Sequence, residues 1–209
     1  VGQMNTQLLP VLKGHRLYAA FLTLFMVGLR RGELLGLRWQ DVDWKSEALH
    51  IRQTLARMKN HEVGHTHLIF QEPKTEKSRR TIPLPEGCLT ALRQHRAHQA
   101  AEKLALGPAH NDHSLVFCHA DGRPIDPRTL NRYFSQALAQ AGLAPIRLHD
   151  ARHTFATWLL EQGVSPKVVQ TMLGHSSIAL TLDIYSHVSL DLEKPAAATL
   201  NAVLASGLQ

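Results

Sequence analysis

Residues 148–187 read LHDARHTFATWLLEQGVSPKVVQTMLGHSSIALTLDIYSH. Glycines and a proline divide this stretch into three helices. Leu148, Ala151, Phe155, Trp158 and Leu159 recur at helical spacing, which predicts a helix over 148–162 that ends at Gly163. Ser165-Pro166 places a capping hydroxyl before a proline at the first helical position, and the helix it starts stops at Gly174. A short helix over 177–186 follows.

Working outward, a last helix is expected over 189–205, with Leu192, Ala196, Leu200 and Val203 at helical spacing. Asp126-Pro127 starts a helix that runs to about Ala141 and stops at Gly142, and residues 87–105 form a long one. Near the start, 17–29 and 33–37 read as two apolar helices joined by a corner at Gly28–Gly32, with a polar loop at 39–43. Three β-like runs lie between, at Leu49–Thr54, His67–Gln71 and Arg80–Leu84; the polar stretch Glu72–Ser78 suits a hairpin loop between the last two. The fold class expected is α+β and mainly helical: one compact domain over residues 1–209 with a small three-stranded antiparallel sheet. Val1, not Met, opens the chain, so it is read as a piece of a longer protein.

Charge and composition narrow the function classes. With 44% apolar residues the chain can bury a sizeable core. A formal charge of +6 and a pI near 9.6 favour an anionic partner, nucleic acid or an acidic surface. The longest apolar run, Leu17–Leu29, is too short to span a bilayer, and no signal peptide is recognised, so no membrane partner is expected. Cys88 and Cys118 lack CxxC spacing and read as reduced thiols in a cytosolic protein.

The polar residues of 148–187 admit several readings. His149 and Arg152 share a helix face at the edge of the apolar stripe, which suits either a solvated rim or a firmly held site. His149 and His153 have the i,i+4 spacing of a zinc helix, but Asp150 stands where an HExxH motif carries Glu, and no third ligand is evident. His61, His65 and His67 read as solvated. No metal and no cofactor are therefore expected. His175 follows a helix-stopping glycine and can face a cleft. Tyr185 shares a stripe with Ile178 and Leu182, which alone describes a core tyrosine with a tethered hydroxyl.

Taken together, His149-Asp150-Ala151-Arg152-His153, Leu173-Gly174-His175 and Thr181-Leu182-Asp183-Ile184-Tyr185 resemble the C-terminal signature of the tyrosine recombinases, the phage integrase family. Gly28-Leu29-Arg30-Arg31-Gly32-Glu33-Leu34 resembles that family's first arginine box. Pro73-Lys74-Thr75 with Arg80-Thr81-Ile82-Pro83-Leu84 resembles its β-hairpin lysine segment. The likeness runs from about Phe21 to His187.

The resemblance implies the DNA breaking-rejoining fold and a catalytic set of Arg30, Lys74, His149, Arg152, His175 and Tyr185. Tyr185 would be the nucleophile of a site-specific DNA recombinase working through a 3′-phosphotyrosine. Glu33 would orient an arginine or cap a helix. Lys77, Arg79 and Arg80 read as solvated turn residues, and Arg31 and Arg38 as contacts to DNA backbone or solvent. The chain would be a catalytic domain without the family's N-terminal DNA-clamping domain. It would act on double-stranded DNA as a tetramer on paired sites, be monomeric as a fragment, and belong to the bacterial cytoplasm. A type IB topoisomerase-like relaxing enzyme and a non-catalytic DNA-binding module are the competing readings.

Overall fold

A computed structural model of the chain describes residues 3–59, 65–73, 78–175 and 177–184. It opens with a π-type turn, Met4–Leu8, and helix α1, Leu9–Leu12. Helix α2, Tyr18–Val27, is apolar on every side and buried along most of its length, as a helix at the centre of a domain must be. Phe21 and Phe25 of α2 pack on Phe134, with ring centroids 6.0 and 5.9 Å away. Phe134 belongs to α5, Pro127–Gln140, which begins as expected: the Asp126 carboxylate accepts the Arg128 N–H at 2.7 Å, with Pro127 in the first turn.

Helix α3, Arg31–Gly36, follows the Gly28 corner and is followed by a 3-10 turn, Trp39–Asp41. Gly32 and Gly36 face a strand closely: a Cβ would lie 2.9 Å from Leu55 O at Gly32 and 3.0 Å from Gln53 O at Gly36. The missing side chains let α3 lie directly on that backbone.

The β structure departs from expectation in its pairing. The expected polar loop at 39–43 contributes strand β1, Val42–Asp43, and the expected strand 49–54 divides into β2, Ala48–Ile51, and β3, Thr54–Lys59. Strand β4, Thr66–Gln71, pairs antiparallel with β3, while β5, Arg80–Pro83, pairs antiparallel with β2. The three-stranded antiparallel sheet therefore exists, in the order β1-β2-β5, and β3-β4 form a separate two-stranded ribbon. His67–Gln71 and Arg80–Leu84 do not form one hairpin. The break at Arg52-Gln53 hands the chain from one sheet to the other.

Helix α4, Glu86–Leu106, packs on α2. Helix α6, Leu148–Glu161, and α7, Pro166–Leu173, match their expected boundaries to within a residue or two. A small second cluster joins them: Phe155, Ala156, Leu160, Val169 and Leu173, all buried. Residues 179–184 are helical, and the final helix expected at 189–205 lies outside the described residues. Cys88 and Cys118 are buried free thiols, and burial pushes Cys88 up to about 12, so it is inert at neutral pH. No helix of the described residues is long and apolar enough to cross a membrane.

Candidate active site

Among the described residues, α3, the 3-10 turn at Trp39–Asp41 and α6 start with the same device, an arginine followed three residues on by an acid. The carboxylate accepts the arginine's own backbone N–H: Glu33 from Arg30 at 2.8 Å, Asp41 from Arg38 at 3.1 Å, and Asp150 from Arg147 at 2.9 Å. This is half of a capping box, and it relieves a backbone donor at the helix start. Burial separates the three. Glu33 is 2% exposed, whereas the Arg147–Asp150 pair lies at the surface. Glu33, expected either to orient an arginine or to cap the helix, bonds the backbone N–H at the start of α3 and two guanidiniums.

Its carboxylate is fully engaged. Oε1 accepts Arg30 Nη1 at 2.8 Å and Arg80 Nη1 at 2.9 Å; Oε2 accepts Arg30 N and Arg80 Nη2, at 2.8 and 2.9 Å. Burial alone would raise the Glu33 pKa, but the bonds from Arg80 and Arg30 outweigh it and hold the carboxyl below its usual value. Arg30 gives its other terminal nitrogen to Gly174 O at 2.8 Å, and its side chain stays 39% exposed, open to a ligand.

Arg152, on α6, is 3% exposed and bonds Gly28 O at 2.9 Å and Leu173 O at 2.6 Å. Burial, with Arg30 beside it, pushes Arg152 down to about 9, so it remains cationic at pH 7. His175 follows the left-handed Gly174 (φ 64°) that ends α7. Its Nδ1 lies 2.9 Å from the Oγ1 of buried Thr181. When that hydroxyl donates, the neutral ring carries its proton on Nε2 and can donate it outward. Burial and the cations Arg152 and Arg30 push His175 down to about 4. His149 is exposed, with its ring 5.1 Å from that of His153, edge to face. Partial desolvation, with His153 and Arg152 near, holds it below its ordinary value, so it too is neutral at pH 7.

The expected residues Arg30, Arg152 and His175 are thus drawn together at the end of α7, with His149 one turn from Arg152. Lys74 and Tyr185 lie outside the described residues. The expectation for Arg80 is corrected: its side chain is 5% exposed and bound to Glu33, not solvated. A signal was present in its strand, because Arg80, Ile82 and Leu84 share one face and the latter two are buried. Arg79, on the other face, is 57% exposed as expected. Arg31 is exposed, while Arg38 pairs with buried Asp41 at 3.4 Å. His65 and His67 are exposed, and no group of three metal-binding side chains occurs among the described residues.

Three guanidiniums, two of them bonded to one carboxylate and the third to backbone carbonyls, leave this cluster cationic, with neutral imidazoles beside it. Such a site accommodates an oxyanion. Comparison with known proteins gives the family. The family model described as "Phage integrase family" matches residues 3–191. The chain belongs to the phage integrase family.

Among curated integrase-family relatives, the "Tyrosine recombinase XerC-like" protein of Caldanaerobacter subterraneus subsp. tengcongensis is 41% identical over 198 residues, 91% of this chain and 50% of that protein. An integrase of Streptomyces ambofaciens is 33% identical over 83% of this chain and 45% of its own length. The chain therefore spans about half the length of these relatives. Among solved structures, the Tn1549 transposon integrase in complex with transposon right end DNA superposes with a TM-score of 0.79 at 24% identity, over 96% of this chain and 65% of that one. The XerA recombinase gives 0.69 at 26% identity, over 90% and 57%. The fold is that of tyrosine recombinase catalytic domains.

Proposed function

We propose that the protein to which this chain belongs is a site-specific DNA recombinase that cleaves and rejoins double-stranded DNA through a covalent bond to Tyr185. The observation that carries the reading is the pair of guanidiniums, half-exposed Arg30 and buried Arg152, held on adjacent carbonyls of one helix end. The XerC-like relative and the DNA-bound Tn1549 integrase support the substrate class.

The chemistry follows from the residue types. The Tyr185 hydroxyl attacks phosphorus, the bond from phosphorus to the 5′ oxygen breaks, and a 3′-phosphotyrosine and a free 5′-hydroxyl result. Negative charge collects on the non-bridging oxygens, where planar, always-charged N–H forks stabilise it. A tyrosine hydroxyl with a pKa near ~10 needs a base, and neutral His149 is the acceptor of its proton. The leaving 5′ oxygen takes a proton from Lys74. His175 donates a hydrogen bond to the phosphate. A 5′-hydroxyl of a partner strand then reverses the step. One phosphoester replaces another throughout, so no ATP and no metal ion enter the balance. Strand exchange between two sites calls for a tetramer on paired DNA.

A nicked duplex that loses its 5′-hydroxyl fragment on cleavage traps the intermediate. Wild-type protein should give an SDS-resistant DNA adduct, in EDTA as in its absence, and Tyr185→Phe should give none while still binding DNA. Tight binding without an adduct from the wild type would leave only a DNA-binding module. Relaxation of supercoils without exchange between two sites would favour the topoisomerase-like reading.

A further inference from the structure

Met172, Leu173 and Gly174 are consecutive, and each carbonyl accepts from a different arginine: Arg80 Nε at 2.7 Å, Arg152 Nη2 at 2.6 Å and Arg30 Nη2 at 2.8 Å. The last carbonyls of a helix lack intrahelical partners and carry the negative end of its dipole, so this collar is a strong anchor. The other two arginines belong to the proposed catalytic set. Arg80 does not, and it makes four hydrogen bonds within the fold: both terminal nitrogens on Glu33, Nε on Met172 O, and a longer bond to Ser78 O at 3.3 Å.

We propose that Arg80 is a positioning residue, which fixes Arg30 through Glu33 and fixes the α7 terminus, with His175 after it, through Met172. The proposal rests on the strand-transfer reading above. Arg80 sits at the first position of β5, where it pairs in register with Ile51, so the sheet holds its backbone. From there its two terminal nitrogens meet the two oxygens of Glu33 end-on, in the bidentate geometry that fixes direction as well as distance. Glu33 in turn has no freedom to follow Arg30 when that side chain engages a ligand, because two of its four bonds lead to Arg80.

A second observation stands independently of the hydrogen bonds. A Cβ built on Gly174 would lie 2.9 Å from Arg80 Nη1, 3.0 Å from Cδ and 3.1 Å from Cζ. The Arg80 side chain is laid flat against the corner from which His175 departs, and the glycine is what admits it. Arg80 thus touches the supports of Arg30 and His175 while its own side chain, 5% exposed, is closed to a phosphate.

Arg80→Lys keeps the charge and removes both the fork and the Nε contact. Four quantities decide the question: single-turnover cleavage of the nicked duplex, affinity for the same duplex, the melting temperature, and the ¹⁵N-detected Nε–H resonance of Arg30. We expect cleavage to slow by about 10- to 100-fold, the scale of a small misplacement of reacting groups. Affinity should stay within about threefold, since phosphate contacts elsewhere dominate it. The Arg30 resonance should shift or broaden, and in an Arg30→Lys background Arg80→Lys should slow cleavage little further, because coupled residues are not additive.

An unmoved Arg30 resonance, or the same slowing in both backgrounds, overturns the proposal. A fall in melting temperature with cleavage and affinity lost in parallel also overturns it, as a purely structural role. If the wild type forms no adduct, the strand-transfer reading fails, and the Arg30 resonance still tests whether Arg80 holds that side chain. If Arg80→Lys does not fold, Arg80→Gln, which keeps one donor toward Glu33, is read by the same criteria.

Discussion

Arg152 is 3% exposed, and its contacts are two backbone carbonyls, Gly28 O and Leu173 O, rather than a carboxylate. A buried cation without a formal counter-ion is costly, and the cost is offset when an anion arrives. Arg152→Ala should therefore reduce the cleavage rate about 10²-fold or more, the scale of a lost oxyanion donor; a near-normal rate would remove Arg152 from the phosphate. His175 responds to pH. Its pKa is about 4 in the unliganded fold, where burial and Arg152 oppose protonation, against an ordinary 6.5. Its contribution to folding stability is complete above pH 6.5 and is lost as pH falls toward 4. A bound phosphate supplies the opposite charge and raises the pKa, so the complex holds more protons than the free domain. DNA affinity should rise as pH falls from 6.5, and the rise should shrink in His175→Asn. Equal pH slopes for the two proteins would place His175 away from the phosphate.

At the scale of elements, the corner at Gly28 joins α2 to α6 and α7. Gly28 has φ 66°, and a Cβ there would lie 2.5 Å from Phe155 Cδ1 and 2.7 Å from Leu173 Cδ2. Gly28→Ala combines left-handed strain of about 1–2 kcal/mol with overpacking of about 1–3 kcal/mol. The domain should lose about 2–5 kcal/mol in chemical denaturation, and the collar should loosen with it, because Gly28 O holds Arg152. Helices were legible in the sequence because their signals are local: Asp126-Pro127 and Ser165-Pro166 start them, and Gly142, Gly163 and Gly174 stop them. Strand partners were not, because nothing near Arg80 says whether β5 joins β4 or β2. The site divides in the same way. Arg30, His149, Arg152 and His175 are candidates that the family resemblance picks out in the sequence, whereas the contacts of Arg80 depend on Glu33, 47 positions away, and Met172, 92 positions away. An arginine beside exposed Arg79 looks solvated until those two partners are brought to it.

For the whole molecule, the +6 charge divides into two populations with different work. Arg30, Arg80 and Arg152 are tied to carbonyls and a carboxylate at one helix end, where on the proposed reading Arg30 and Arg152 face the reacting phosphate and Arg80 supports them. Arg31, next to Arg30 in sequence, is exposed, as is Arg52, whose side chain is 54% exposed and 3.5 Å from Asp41. On the proposed reading, exposed cations of this kind act on the DNA backbone by releasing counterions, which raises affinity without reading sequence or touching the reacting atoms. The two populations therefore separate in salt. Arg31→Ala should weaken duplex binding uniformly across sequences and flatten the plot of log affinity against log salt by about one unit, the step expected for one lost phosphate contact. Its cleavage rate at saturating DNA should match the wild type. Arg152→Ala should do the reverse, with the salt slope nearly kept and the rate lost. If Arg31→Ala instead slows cleavage at saturation, Arg31 acts on the reacting phosphate, and the division between the carbonyl-anchored cations and the exposed ones does not hold.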